Sequence, residues 1–205
     1  MIKLVYFDVG GVVIKDFSET NKWEELLAST EMSEEDWEAN YGDKINIGIL
    51  PVNPKIPYRK LLSEFVNRFD QNTSIWPVIQ AVKERNKIGL LTNMYPGMLD
   101  SIKDHNLLPN TKWDVIVDSS IEKAAKPDKK IFEIAQNRAR VSGSEILFVE
   151  NSPGHVKAAK EFGWQQIPKK IEADKLQSIF WFNNYFYRRD SKLAKVPLLI
   201  TEYEI

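Results

Sequence analysis

The stretch Lys3-Leu4-Val5-Tyr6-Phe7-Asp8-Val9-Gly10-Gly11-Val12-Val13 limits what this chain can fold into more than any other. An apolar run of strand length carries one carboxylate, Asp8, to its end, and two glycines follow. A run that is apolar on both faces belongs in a parallel sheet covered on both sides. Ligands of open α/β sheets sit outside the carboxyl ends of the strands. Asp8 is thus expected at that edge, with Gly10 and Gly11 letting backbone come close to a small anion. An aspartate at a strand end also serves ordinary turns, so its assignment to chemistry depends on what the rest of the chain supplies.

At 205 residues the chain is one domain of ordinary size, or a core with a modest insertion. Its 43% hydrophobic and 28% charged residues fit a soluble globular protein with a real core. A net charge of −1 gives no basic field to gather nucleic acid or an anionic membrane. The absence of cysteine excludes disulfides and thiolate metal sites and suits a reducing cytoplasm. The chain opens directly in a strand pattern without a signal-type segment, and no apolar run reaches membrane-spanning length. A cytoplasmic protein without nucleic-acid or membrane partners is therefore expected.

After the first strand, residues 16–76 change character. Thr20 to Leu27 reads as a capped amphipathic helix, and Ser33-Glu34-Glu35-Asp36-Trp37 has an N-cap serine followed by acids. Gly48, Pro51, Pro54 and Pro57 mark a loop between Gly42 and Pro57. Leu61, Leu62, Phe65, Val66 and Phe69 then recur at helical spacing, and strand alternation is missing throughout. This segment is expected to be an all-helical insertion, with Trp23, Trp37 and Trp76 as packing residues.

The α/β rhythm then resumes. Strands are expected at Lys87 to Asn93, Trp113 to Val117, Glu145 to Asn151 and Gln165 to Ile167. Helices are expected at Ile79 to Arg85, Pro96 to His105, Asp128 to Arg138 and Pro153 to Phe162, the last stopped by Gly163. Such alternation implies right-handed crossovers and a doubly wound parallel sheet. The expected fold is therefore an α/β Rossmann-like core, residues 1–15 and 77–205, with a small helical cap, residues 16–76, inserted after the first strand.

In that sheet the polar strand ends converge: Asp8, Thr92-Asn93 and Glu150-Asn151, with Lys126 before Pro127 at the start of a helix. The set contains an attacking or metal-binding carboxylate, a hydroxyl and amide pair, a cation and a second carboxylate. These are the parts that phosphoryl transfer needs, and Mg²⁺ is held by one or two carboxylates with waters and substrate oxygens.

Spacing and order resemble the haloacid dehalogenase (HAD) superfamily of aspartate-nucleophile hydrolases. The resemblance covers Met1 to about Pro168. Phe7-Asp8-Val9-Gly10-Gly11-Val12-Val13 is similar to the first motif of that superfamily, and Leu90-Leu91-Thr92-Asn93 to the second. Lys126-Pro127-Asp128 matches the third, and Phe148-Val149-Glu150-Asn151-Ser152-Pro153 the fourth. Each motif alone is weak; four in order are specific. The resemblance implies a Mg²⁺-dependent phosphatase of a small phosphorylated metabolite, working through an aspartyl phosphate on Asp8. It gives Asp8, Thr92 and Lys126 catalytic roles. It gives phosphate contacts to Gly10, Gly11, Asn93 and Asn151, and the metal to Asp8, the Gly10 carbonyl and Glu150.

Two positions depart from the superfamily. Most of its phosphatases carry an acid two residues after the nucleophile, where this chain has Gly10. A positioned acid contributes roughly 10²–10⁴-fold, so good leaving groups such as anomeric sugar, acyl or aryl phosphates are favoured. Asp16 stands near enough in sequence to donate a proton, although a solvated hinge acid is its simpler role. Glu150-Asn151 replaces the usual aspartate pair, which implies weaker Mg²⁺ binding.

These departures keep open a non-catalytic binding domain of the same fold. Dehalogenation at carbon, which also uses an aspartate and no leaving-group acid, is the remaining alternative, but no halide-cradling cation stands out. His105 belongs to a helix end, and His155 lies in the loop after Glu150, within reach of substrate. Ile179 to Tyr187 holds six aromatics in nine residues before Arg188-Arg189, outside the resemblance. It is expected to dock on the core or to form a dimer interface, so the chain is expected to be a monomer or a homodimer. Val196 to Ile200 reads as a last strand.

Overall fold

A computed structural model describes residues 1–52 and 54–168. The aromatic stretch at 179–187 and the strand expected at 196–200 lie outside the described residues.

The chain begins with β1 (Leu4–Phe7), turns through Val9 to Val13, and forms a two-residue strand, β2 (Ile14–Lys15). Helices α1 (Lys22–Ser29) and α2 (Glu34–Asn40) follow, then a 3-10 helix (Gly42–Ile47), α3 (Tyr58–Val66) and the short β3 (Asp70–Gln71). Beyond these lie α4 (Trp76–Lys83), β4 (Lys87–Thr92), α5 (Met98–Asp104) and β5 (Val115–Asp118). The rest comprises α6 (Ser119–Glu122), α7 (Lys129–Ala139), a 3-10 turn (Gly143–Glu145), β6 (Ile146–Glu150), α8 (Pro153–Glu161) and β7 (Gln165–Pro168).

Five strands form one parallel sheet in the order β5-β4-β1-β6-β7. The doubly wound α/β core expected from the apolar runs is therefore present. β1 is central and buried along its length because Leu-Val-Tyr-Phe has an apolar side chain for each face. Leu4 and Tyr6 join Ile131, Phe132 and Ala135 of α7 and Trp164 in one core cluster. Tyr6 lies flat against Trp164, with ring centroids 5.6 Å apart, and donates its hydroxyl to the Ala135 carbonyl at 2.8 Å.

Among the described residues between β1 and β4, α1, α2, α3 and α4 are joined by a strand pairing that the sequence pattern did not reveal. Ile14–Lys15 and Asp70–Gln71 form an antiparallel pair on either side of α1, α2 and α3. Ser33 caps α2 as expected, its hydroxyl accepting from the Asp36 amide while the Asp36 carboxylate accepts from Ser33 N–H. Phe65 packs with Phe17, Trp23, Trp37 and Tyr95, so these aromatics are packing residues. The segment read as a plain loop, Gly42 to Pro57, begins with the 3-10 helix, and α6 was also unforeseen. Both are too short to show a period.

Register places the strand ends together. Phe7 pairs with Leu90 of β4 on one side and Val149 of β6 on the other. The next residue on each strand is Asp8, Leu91 or Glu150, and Thr92 lies one further along β4. From β1 the chain runs outward through β4 to β5, then returns to the far side of β1 for β6 and β7. Such a reversal opens a crevice at the carboxyl edge, where ligands of this architecture bind.

Candidate active site

Lys126 is the hub of the polar strand ends. Its side chain is fully buried, and its Nζ lies 3.0 Å from Asp8 Oδ1 and 2.6 Å from Glu150 Oε2. It also donates to the Leu91 carbonyl at 3.2 Å and lies over the Phe148 ring, 5.3 Å from its centroid. Burial alone would lower the lysine's proton affinity, but the two carboxylates outweigh it and raise it. Lys126 is therefore held as a cation.

The two carboxylates differ. Burial chiefly, and then the neighbouring Glu150 charge, push Asp8 up to about 6 despite Lys126. For Glu150, burial is the largest single effect and acts upward. Lys126, His155 and the Ser152 amide together reverse it and bring the carboxyl below its ordinary range. Only one of the two faces out: the Asp8 side chain is 11% exposed and that of Glu150 is 0%. Glu150 Oε2 is shared between Lys126 and His155 Nδ1, and its Oε1 accepts from the Ser152 amide at 2.9 Å. Glu150 thus sits against the lysine with both oxygens hydrogen-bonded. Its extra methylene lets it reach the ammonium.

Thr92 presents the opposite condition. Its Oγ1 is buried and has no hydrogen-bond partner among the described residues. A buried hydroxyl left unpaired costs about 1–3 kcal/mol, which marks it as a group kept for a ligand.

Asn93 is tied to the hub through its side-chain amide. Its amide donates to the Lys126 carbonyl at 2.9 Å and its oxygen accepts from Lys126 N–H at 2.8 Å. It therefore fixes the lysine's backbone. The Lys126–Pro127 peptide bond is cis. Gly10 lies beside Asp8 with no atom within 4 Å of where a Cβ would stand. Gly11 has φ +75°, and a Cβ there would collide with the Asn151 amide and lie 2.6 Å from Asp16 Oδ2. Asn151 is turned toward Asp16, its Nδ2 donating to Oδ2 at 3.3 Å.

Sequence reasoning missed the link from His155 to Glu150, 3.1 Å long and five residues apart, although it had placed His155 near the site. The Leu91 carbonyl had no signal, since any residue supplies one. His105 is confined to its own helix end, hydrogen-bonded to the Ser101 carbonyl.

Asp8, Lys126 and Glu150 sum to one net negative charge, so a phosphate dianion beside Asp8 needs added positive charge. A divalent cation supplies it. The Asp8 carboxylate, the more accessible of the two, the open space at Gly10 and the spare Thr92 hydroxyl fit Mg²⁺ bound together with a phosphate. Among the described residues no cluster of three His, Cys, Asp or Glu side chains could hold a metal alone. That also suits an ion bound mainly through water and substrate oxygens.

A family model described as a haloacid dehalogenase-like hydrolase matches residues 2–163. The chain belongs to that family. Its fold is similar to that of a HAD family enzyme from Bacteroides thetaiotaomicron, with a TM-score of 0.72 at 20% identity, covering 87% of this chain and 98% of that one. A HAD-like hydrolase from Porphyromonas gingivalis gives 0.72 at 20% identity, covering 88% and 97%. Among curated proteins, Haloacetate dehalogenase H-2 of Moraxella is 25% identical over 122 residues, 58% of this chain and 47% of that protein. Mouse acyl-CoA dehydrogenase family member 10 is 29% identical over 97 residues, 46% of this chain and 9% of that protein. These alignments therefore span less than half the length of either curated relative. No helix among the described residues is long and apolar enough to cross a membrane.

Proposed function

We propose that this protein is a Mg²⁺-dependent phosphatase of a small phosphorylated metabolite, with Asp8 as nucleophile. The observation that carries this reading is a buried lysine held between two carboxylates, of which only Asp8 is open to solvent. The relative from Bacteroides thetaiotaomicron has been solved in complex with magnesium and inorganic phosphate, which supports the same chemistry here.

Asp8 and the Gly10 carbonyl would hold Mg²⁺, with Asn151, expected as a phosphate contact, in the place expected for Glu150, whose oxygens are both engaged; when bound, the ion would neutralise phosphate charge and raise the electrophilicity of phosphorus. An Asp8 oxygen attacks phosphorus while the bond to the leaving oxygen breaks, leaving an aspartyl phosphate. The departing alkoxide or phenoxide takes its proton from water, because Gly10 offers none. Water then attacks phosphorus, the bond to Asp8 breaks, and the carboxylate and inorganic phosphate are restored. Lys126 orients Asp8 and balances its charge, Glu150, itself bonded to His155, holds Lys126, and Thr92 donates to a phosphoryl oxygen. Without a leaving-group acid, substrates with stable leaving groups are favoured: anomeric sugar, acyl or aryl phosphates.

The test is hydrolysis of para-nitrophenyl phosphate with and without Mg²⁺, by wild type and by Asp8→Asn. Wild type should turn over only with Mg²⁺, and Asp8→Asn should not turn over. Full activity in Asp8→Asn would refute the mechanism, and an inactive wild type would favour the binding-domain reading. Chloroacetate belongs in the same assay, since one relative is a haloacetate dehalogenase. Release of chloride without phosphatase activity would establish that alternative instead.

A further inference from the structure

Asp16 and Asn151 meet beside Gly11, one just after β2 and the other just after β6. Asn151 Nδ2 donates to Asp16 Oδ2 at 3.3 Å, and Asp16 Oδ1 accepts from the Ser18 amide at 3.0 Å. The carboxylate is therefore held from both sides. Gly11 lies beneath the pair, and any side chain there would strike both partners. The close approach thus depends on a glycine two residues beyond Val9.

An amide side chain offers one donor end and one acceptor end. Because Asp16 takes the donor end, the acceptor Oδ1 is left as the end available to a cation. Without Asp16 the amide could turn, and its NH₂ would then face the cation unfavourably. The pairing also explains the residue type: an aspartate at position 151 would place two carboxylates against each other.

We propose that Asp16 is a positioning residue for the Mg²⁺ site, orienting Asn151 so that its oxygen binds the ion. This rests on the function proposed above. Outer-layer partners of metal ligands affect affinity about 10- to 100-fold.

The test is a double-mutant cycle read as Mg²⁺ affinity by isothermal titration calorimetry on the full chain. The proteins are wild type, Asp16→Ala, Asn151→Ala and the double variant, with folding checked by circular dichroism. Asp16→Ala should weaken Mg²⁺ binding about 10-fold or more. The double variant should bind no more weakly than Asn151→Ala, because Asp16 acts through that side chain. Should Asp16→Ala not fold, Asp16→Leu, close in size and unable to accept from the amide, takes its place in the cycle. A loss under about fivefold, or losses that multiply in the double variant, would overturn the proposal. If wild type binds no Mg²⁺, the proposed function falls and this proposal with it. If wild type binds and Asp16 proves irrelevant, only this proposal falls.

Discussion

Lys126 sits between Asp8 and Glu150 with no solvent contact, so its charge is worth most to the fold when both acids are ionised. Replacing it with methionine keeps the bulk and leaves two facing buried carboxylates. Losing one partner of a buried ionic group costs about 3–5 kcal/mol. Lys126→Met should therefore lower the urea midpoint strongly at pH 7. The deficit should shrink toward pH 5, because Asp8, already raised to about 6, takes up a proton there. Thr92 should behave the other way. Thr92→Val removes an unpaired buried hydroxyl, so stability should rise by about 1 kcal/mol. Turnover of an aryl phosphate should fall by about 10²-fold, as for loss of one charge-stabilising donor. A Thr92→Val variant that loses stability and keeps turnover would show that the hydroxyl serves the fold.

At the scale of single elements, close packing around β1 sets the strictest limits. A Cβ on Gly89 of β4 would stand 2.6 Å from the Tyr6 ring, which is already fixed by its hydrogen bond to Ala135. Gly89→Ala should cost about 1–3 kcal/mol in urea unfolding, the usual price of overpacking. The 3-10 turn ahead of β6 carries a pH-dependent contribution. Glu145 pairs with Lys3 and accepts from the Ser142 amide, and these contacts bring its carboxyl down to about 2 from an ordinary 4.5. A folded-state value below the unfolded one stabilises the protein above pH 4.5 and is lost as pH falls toward 2. The gap in Tm between wild type and Glu145→Gln should be open at pH 7 and close across that window. A constant gap would mean that the charge contributes nothing.

For the molecule as a whole, the sheet was legible because strands buried on both faces must be written as unbroken apolar runs. Leu4 to Phe7, Ile88 to Leu91 and Ile146 to Val149 could be little else. Asp8, Thr92 and Lys126 were legible because each terminates such a run or precedes a helix. The antiparallel pairing of β2 with β3 was not, since two residues carry no alternation and the pairing depends on backbone alone. The contact between Asp16 and Asn151 spans 135 residues, and Glu150's place against Lys126 depends on side-chain reach. Neither leaves a local pattern. The aromatic cluster around Phe65 includes Tyr95, which belongs to the loop after β4. The helical stretch and the sheet should therefore unfold in one transition, followed together by tryptophan fluorescence and circular dichroism. Two separate transitions would contradict that coupling. Asn93, finally, grips the backbone of Lys126 through both its N–H and its carbonyl. The end of β4 and the loop before α7 are thereby fastened together, so a library built to change substrate preference should leave those two positions alone.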